Sequence, residues 1–115
     1  MPDRTDALRA IAAKLDDIES EMRSIGFWAE TPPKLLTEVD TGRITNYLEA
    51  PSFELWLQCI FLPRAREAVR TDALPVKSSV GLIAMRQYDY HSHVEEAQGL
   101  LHLLYEFDEA VAAAK

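Results

Sequence analysis

The chain has 115 residues, a formal net charge of −7 and a pI near 4.9. That balance speaks against direct nucleic-acid binding, which needs lysine and arginine to displace counterions from phosphates, and against docking on anionic membranes. Hydrophobic residues make up 48% of the chain, enough to close a core and too many for an intrinsically disordered protein. The length fits one domain over 1–115, since domains most often run about 100–150 residues. No apolar stretch approaches the roughly 18 residues of a membrane span, and the polar N-terminus has no signal-peptide core. A single cysteine, Cys59, excludes an internal disulfide. These features predict a cytoplasmic protein in which Cys59 is a buried thiol and not a nucleophile.

Residues 3–25 carry Leu8, Ile11, Leu15, Ile18, Met22 and Ile25 at alternating spacings of three and four, the apolar stripe of an amphipathic helix. Asp3, Thr5 and Asp6 supply capping groups and negative charge at its start, and Gly26 supplies a stop. The same repeat fits a coiled-coil homodimer. Small Ala10, Ala12 and Ala13 on the flanks favour packing within the chain instead.

Residues 26–51 are the least regular part, punctuated by Pro32-Pro33, Asp40-Thr41-Gly42 and Pro51. A connection this long needs packing of its own. Burial of Phe27, Trp28, Leu35, Leu36, Val39, Ile44, Tyr47 and Leu48 is predicted to order it, with short helical turns at 33–36 or 44–49.

The stretch from Ser52 to Arg64 is the most apolar of the chain. Ser52 is a good N-cap, and Phe53 to Arg70 outruns normal strand length, so a helix is predicted. Phe53, Trp56, Ile60 (or Leu57) and Ala65 or Ala68 fall near one face, with Glu54, Gln58 and Arg66 opposite. Arg64, Arg66 and Arg70 crowd the C-terminal end, where cations complement the macrodipole. Pro63 lacks a donor and its ring would meet the Cys59 carbonyl, at about 3 kcal/mol. The helix therefore kinks there or divides into two that meet at Pro63.

Residues 71–75 form a turn, after which Ser78 or Ser79 caps a short helix running through Tyr88. Val80, Ile83, Ala84 and Gln87 line one face of it, and Asp89-Tyr90-His91 breaks it. Ser92-x-x-Glu95 is a capping box that opens a last helix with Ala97, Leu100, Leu101, Leu104, Phe107 and Val111 facing inward. The predicted fold is all-α: a small four-helix bundle with a long ordered connection after the first helix.

Trp28, Pro51 and the run Glu54-Leu55-Trp56-Leu57-Gln58-Cys59-Ile60-Phe61-Leu62-Pro63-Arg64, followed by Leu74-Pro75, resemble the YqcC-like family of small bacterial proteins. That family carries a glutamate–tryptophan–leucine–glutamine stretch running into a proline–arginine pair and then a leucine–proline turn. Here Leu55 separates Glu54 from Trp56, a departure from the pattern. The resemblance covers nearly the whole chain and implies a helical bundle. Members encoded beside a transfer-RNA pseudouridine synthase imply a link to RNA modification, and the family brings no catalytic residues to carry over.

Motifs for chemistry are sparse. Asp89, His91, His93, Glu95 and Glu96 form a polar turn, but a metal needs three or four convergent ligands, so no metal and no cofactor are expected. There is no serine elbow or glycine-rich phosphate loop. Asp16-Asp17 and Glu95-Glu96 point about 100° apart as helical neighbours and read as solvated faces. Asp108 lies at the edge of the last helix's apolar face, within reach of an ion pair with Arg64 or Arg66.

Two functions follow. The first is an interaction module whose acidic surface meets a basic protein partner, such as an RNA-modifying enzyme, by charge complementarity. The second is a small-molecule binding protein or enzyme with a pocket between residues 26–51 and the central helix. The candidate ligand- or partner-binding residues are Trp28, Trp56, Arg64, Arg66, Tyr88 and Asp108, with no catalytic residue assigned.

Overall fold

The structure is a computed structural model that describes residues 4–31, 52–75, 77–90 and 94–114. It is all-α, with no strand among the described residues. The first helix, α1, spans Arg4–Ser24. A helical rod follows: α2 (Phe53–Trp56), a π-turn (Leu57–Phe61) and α3 (Leu62–Arg70). Then come α4 (Val80–Met85), a second π-turn (Arg86–Tyr90), a 3₁₀ turn (Glu95–Ala97) and α5 (Gln98–Ala113). The four helical segments make the predicted small bundle. Most of the long connection after α1, with the helical turns expected at 33–36 or 44–49, lies outside the described residues.

The heptad stripe of α1 became its buried face. Ile11, Leu15, Ile18 and Met22 are fully buried, while Leu8 and Ile25 at the ends are half-buried. Gly26 ends the helix as expected. Its φ of 80° is left-handed, and it lets Phe27 donate back to the Met22 carbonyl at 2.8 Å. The end of α3 uses the same closure with Asp72, at φ 51°, in the glycine's place; Ala73 donates to the Ala68 carbonyl at 2.8 Å. Aspartate is among the few side chains that tolerate this region.

The centre of the bundle is α5, which packs against both α1 and α4. Ala97, Leu100, Leu101, Leu104, Phe107 and Val111 are all buried, as their spacing predicts. The capping-box serine, Ser92, lies outside the described residues; the helix opens through the 3₁₀ turn. The approach of α4 is set by Gly81. A β-carbon there would lie 2.8 Å from the Tyr105 ring and 2.9 Å from the Tyr105 Cα, so only a glycine lets the two backbones meet. Along α4 and the π-turn that follows it the inward face runs Val80, Ala84, Tyr88, all buried, whereas Gln87, expected inward, is exposed. Steps of four from Val80 and Ala84 reach Tyr88, so the tyrosine takes the inward position that the expected face gave to Gln87.

The rod answers the Pro63 problem with a wider turn. Leu62 donates to the carbonyl of Leu57, five residues back, just before the residue that has no N–H to give. A π-turn absorbs the missing donor and moves the register on by one residue, so α3 restarts with its proline in the first turn, where proline is tolerated. The widened register also changes which side chains face in. Phe53, Leu57, Ile60 and Leu62 are buried, Trp56 is half-buried, and Gln58, expected on the polar side, is 6% exposed.

Candidate functional site

Two π-turns bring the aromatic residues of the middle of the chain together. Ser52 caps α2 by accepting from the Leu55 N–H at 3.1 Å, which fixes the direction in which the rod leaves. Phe53 stacks on Trp56 at 5.7 Å between ring centroids and meets Tyr88 edge-on at 5.6 Å. Phe27, from the segment after α1, packs on the same Tyr88 at 5.8 Å. Trp56 continues the layer to Phe61 at 5.9 Å, five residues on, a spacing the π-turn allows; Phe61 then meets Phe107 of α5 at 5.2 Å.

The polar groups of this layer are bound to one another. The Tyr88 hydroxyl donates to Glu54 Oε1 at 2.8 Å. Burial, with the Glu54 carboxylate adding to it, pushes the Tyr88 hydroxyl well above the usual tyrosine value. The Gln58 amide holds both ends of one residue: its oxygen accepts from the Ala29 N–H and its nitrogen donates to the Ala29 carbonyl, each at 2.9 Å. Cys59, next to it, is half-buried, and desolvation raises its thiol above the ordinary value. At neutral pH the tyrosine and the thiol both keep their protons, which suits hydrogen bonding and packing more than nucleophilic attack.

A second network ties α3 to α1. The Arg66 guanidinium donates to Asp16 and to Glu19, both at 2.8 Å. Glu19 also accepts from Arg23 at 3.1 Å, and the Arg23 guanidinium lies 4.4 Å above the Trp28 ring. Arg66 is thus already engaged by two carboxylates. The Asp108 carboxylate has partners other than the arginine considered for it. It accepts from the N–H groups of Val80 at 3.1 Å and Gly81 at 2.8 Å, and from the Ser78 hydroxyl. Ser79 holds the N-cap position of α4 but makes no side-chain cap bond, so Asp108 caps the helix from across the bundle.

Of the six candidate residues, Trp56 and Tyr88 share the aromatic layer through Phe53. Trp28 sits beside it on the Phe27–Ala29 strap, and Arg66 reaches Trp28 through Glu19 and Arg23. Arg64 is exposed on α3. Asp108 stands apart at the start of α4. Three contributors were not among the candidates: Gln58, because α-helical spacing turns it outward; Glu54, because its partner lies 34 residues away; and Phe27, expected to be buried but with a ring partner more remote still. One signal for Asp108 was present, since α4 begins with serines but has Leu82 where a capping box would place an acid.

Among the described residues no group of three histidine, cysteine or acidic side chains could hold a metal, and no helix is long and apolar enough to cross a membrane. His91 and His93 lie outside the described residues.

The pattern of the DUF446 family, described as tRNA pseudouridine synthase C, matches residues 10–110. The chain belongs to the DUF446 family. Comparison with curated proteins and with solved structures returns no match. The DUF446 match takes in α1 from its second turn, the rod with its proline, α4 and nearly all of α5. Gln58, Ala29, Tyr88, Glu54 and Asp108 all fall inside it. The tie of Arg4 to the Ala114 carbonyl joins residues on either side of it, and Arg4 also pairs with Asp72 within it.

Proposed function

We propose that this chain is an accessory module of tRNA pseudouridine modification, a YqcC-like helical protein that binds a basic protein partner in the cytoplasm. The observation that carries the reading is the family description joined to the charge of the chain. A protein that works on transfer RNA by itself must hold a polyanion, and that calls for clustered cations. This chain has 12 lysines and arginines against 19 acidic residues. Several cations are already spent on its own carboxylates, as Arg66 is on Asp16 and Glu19. By contrast Asp17, Glu96 and Glu109 are exposed and have no cation partner among the described residues. Such a surface suits the basic flank of an RNA-binding enzyme and speeds its encounter.

The test is pseudouridine formation in transfer RNA by a purified tRNA pseudouridine synthase, with and without this chain. A change in rate or in the set of transfer RNAs modified, together with no product from the chain alone, is the expected result. Pseudouridine formed by the chain alone would make it the enzyme and end the accessory reading.

A further inference from the structure

The strap formed by Phe27, Trp28 and Ala29 is held in an unusual way. Its main chain pairs with no strand among the described residues. A side-chain amide, 6% exposed, takes both the N–H and the carbonyl of Ala29. That two-pronged bond is how a protein grips an extended peptide without reading its side chains. Beside it the Phe27 ring lies on Tyr88, itself 3% exposed and braced by Phe53 and Glu54. The strap leaves α1 at Gly26, whose φ is 80° and around which an added β-carbon would meet nothing within 4 Å. The strap thus leaves α1 at a left-handed glycine, is held there by the Phe27 N–H on the Met22 carbonyl and by Arg23 over the Trp28 ring, and has the Gln58 amide as a catch beneath it.

We propose that residues 27–29 are a latch, pivoting at Gly26 and caught by Gln58, that covers a seat for an extended, aromatic-bearing segment of a protein partner. The seat consists of the Gln58 amide and the Tyr88–Phe53 ring surface. Its present occupant displays the chemistry it takes: one ring, then a peptide unit offered edge-on. The closed latch is an autoinhibitory contact, because the partner segment and the strap compete for one amide. The proposal rests on the partner-binding reading and names its place.

The probe is a fluorescently tagged peptide copying residues 25–31, titrated by anisotropy against three proteins: the native chain, G26A, and G26A with Gln58→Leu. An alanine at a left-handed φ costs about 1–2 kcal/mol, so G26A opens the latch and binds the peptide roughly tenfold more tightly than the native chain. Adding Gln58→Leu abolishes that gain. Circular dichroism and slow amide exchange at Leu100, Leu101 and Leu104 stay unchanged in both variants if the bundle is intact, which separates latch opening from unfolding. Equal peptide binding by all three proteins, or none by any, overturns the latch. Exchange at the Ala29 amide that rises only together with the α5 amides overturns it too. If the native chain still binds a synthase while the peptide fails, the accessory reading survives without the latch. If the peptide binds as expected but the chain affects no synthase, the latch stands and the accessory reading falls.

Discussion

The last helix and the mid-chain rod are both rich in apolar residues, yet they do different work. From the 3₁₀ turn through α5 the inward positions repeat from Ala97 to Val111 without a break, and every one is buried. Two other segments, α1 and α4, pack on it. The rod from Phe53 to Arg70 holds a tryptophan and two phenylalanines, but Trp56, Cys59 and Phe61 are only half-buried and the register changes in the middle. Unbroken period, more than apolar content, marks the element around which a bundle closes. What the rod contributes is direction: its wider turn aims Gln58 at the strap and lets Trp56 meet Phe61.

The strongest way to break this comparison is to hollow out each element in turn. Leu104→Ala, at a fully buried site in α5, should cost about 2–5 kcal/mol of unfolding free energy in urea titrations, while Trp56→Phe in the rod should cost under about 1.5 kcal/mol. A larger loss from the rod variant would reverse the ranking. Next comes Asp108→Ala. It strips α4 of an acceptor shared by two backbone amides and a hydroxyl, and should cost about 1–3 kcal/mol, with Asp108→Asn recovering part of the loss. An Asp108→Ala chain as stable as the native one would mean that α4 needs no cap from α5.

The contact between the rod and the second π-turn has a pH signature, carried by the Tyr88 hydroxyl bonded to Glu54. Tyr88 is raised above its ordinary value of 10.0, first by burial and then by its bond to Glu54. A raised value in the folded chain favours the neutral form, so this stabilisation is fully present below about pH 10. It is lost as the pH climbs above that value, where the unfolded chain ionises and the folded one resists. Unfolding titrations at pH 9 and 11 should therefore show a steeper loss for the native chain than for Tyr88→Phe; equal slopes would place the ionising group elsewhere. The smallest effect belongs to the α1–α3 network. Arg66→Met should cost under about 1 kcal/mol and less still in high salt, because Asp16 is largely solvated and Glu19 partly so.

Much of the bundle was legible in the sequence because its two longest helices obey one period throughout. Ile11, Leu15, Ile18 and Met22 on α1, and the five inward residues of α5 with Ala97 just before it, follow from spacing alone. Pro63 announced a disturbance in the rod, but the remedy depends on which carbonyl the preceding N–H reaches, and a one-residue change of register turned Gln58 from the polar side to the interior. The candidate site was less legible for a related reason. Tyr88–Glu54, Gln58–Ala29 and Asp108–Gly81 join residues 27 to 34 positions apart, and no local pattern encodes such pairs. Trp56 and Tyr88 were recognisable as candidates by residue type; the Glu54 carboxylate that bonds Tyr88 and the Gln58 amide that bonds Ala29 were not.

The claim on which the functional account stands is that an acidic bundle acts on transfer-RNA modification through a protein and not through RNA. Its most direct test is a titration of the labelled chain with a purified tRNA pseudouridine synthase, and separately with transfer RNA, at about 50 and 200 mM salt, a range over which phosphate-driven binding changes strongly. The account predicts saturable binding to the synthase that weakens in the higher salt, and none to the RNA. Binding to transfer RNA with no affinity for the synthase would contradict it.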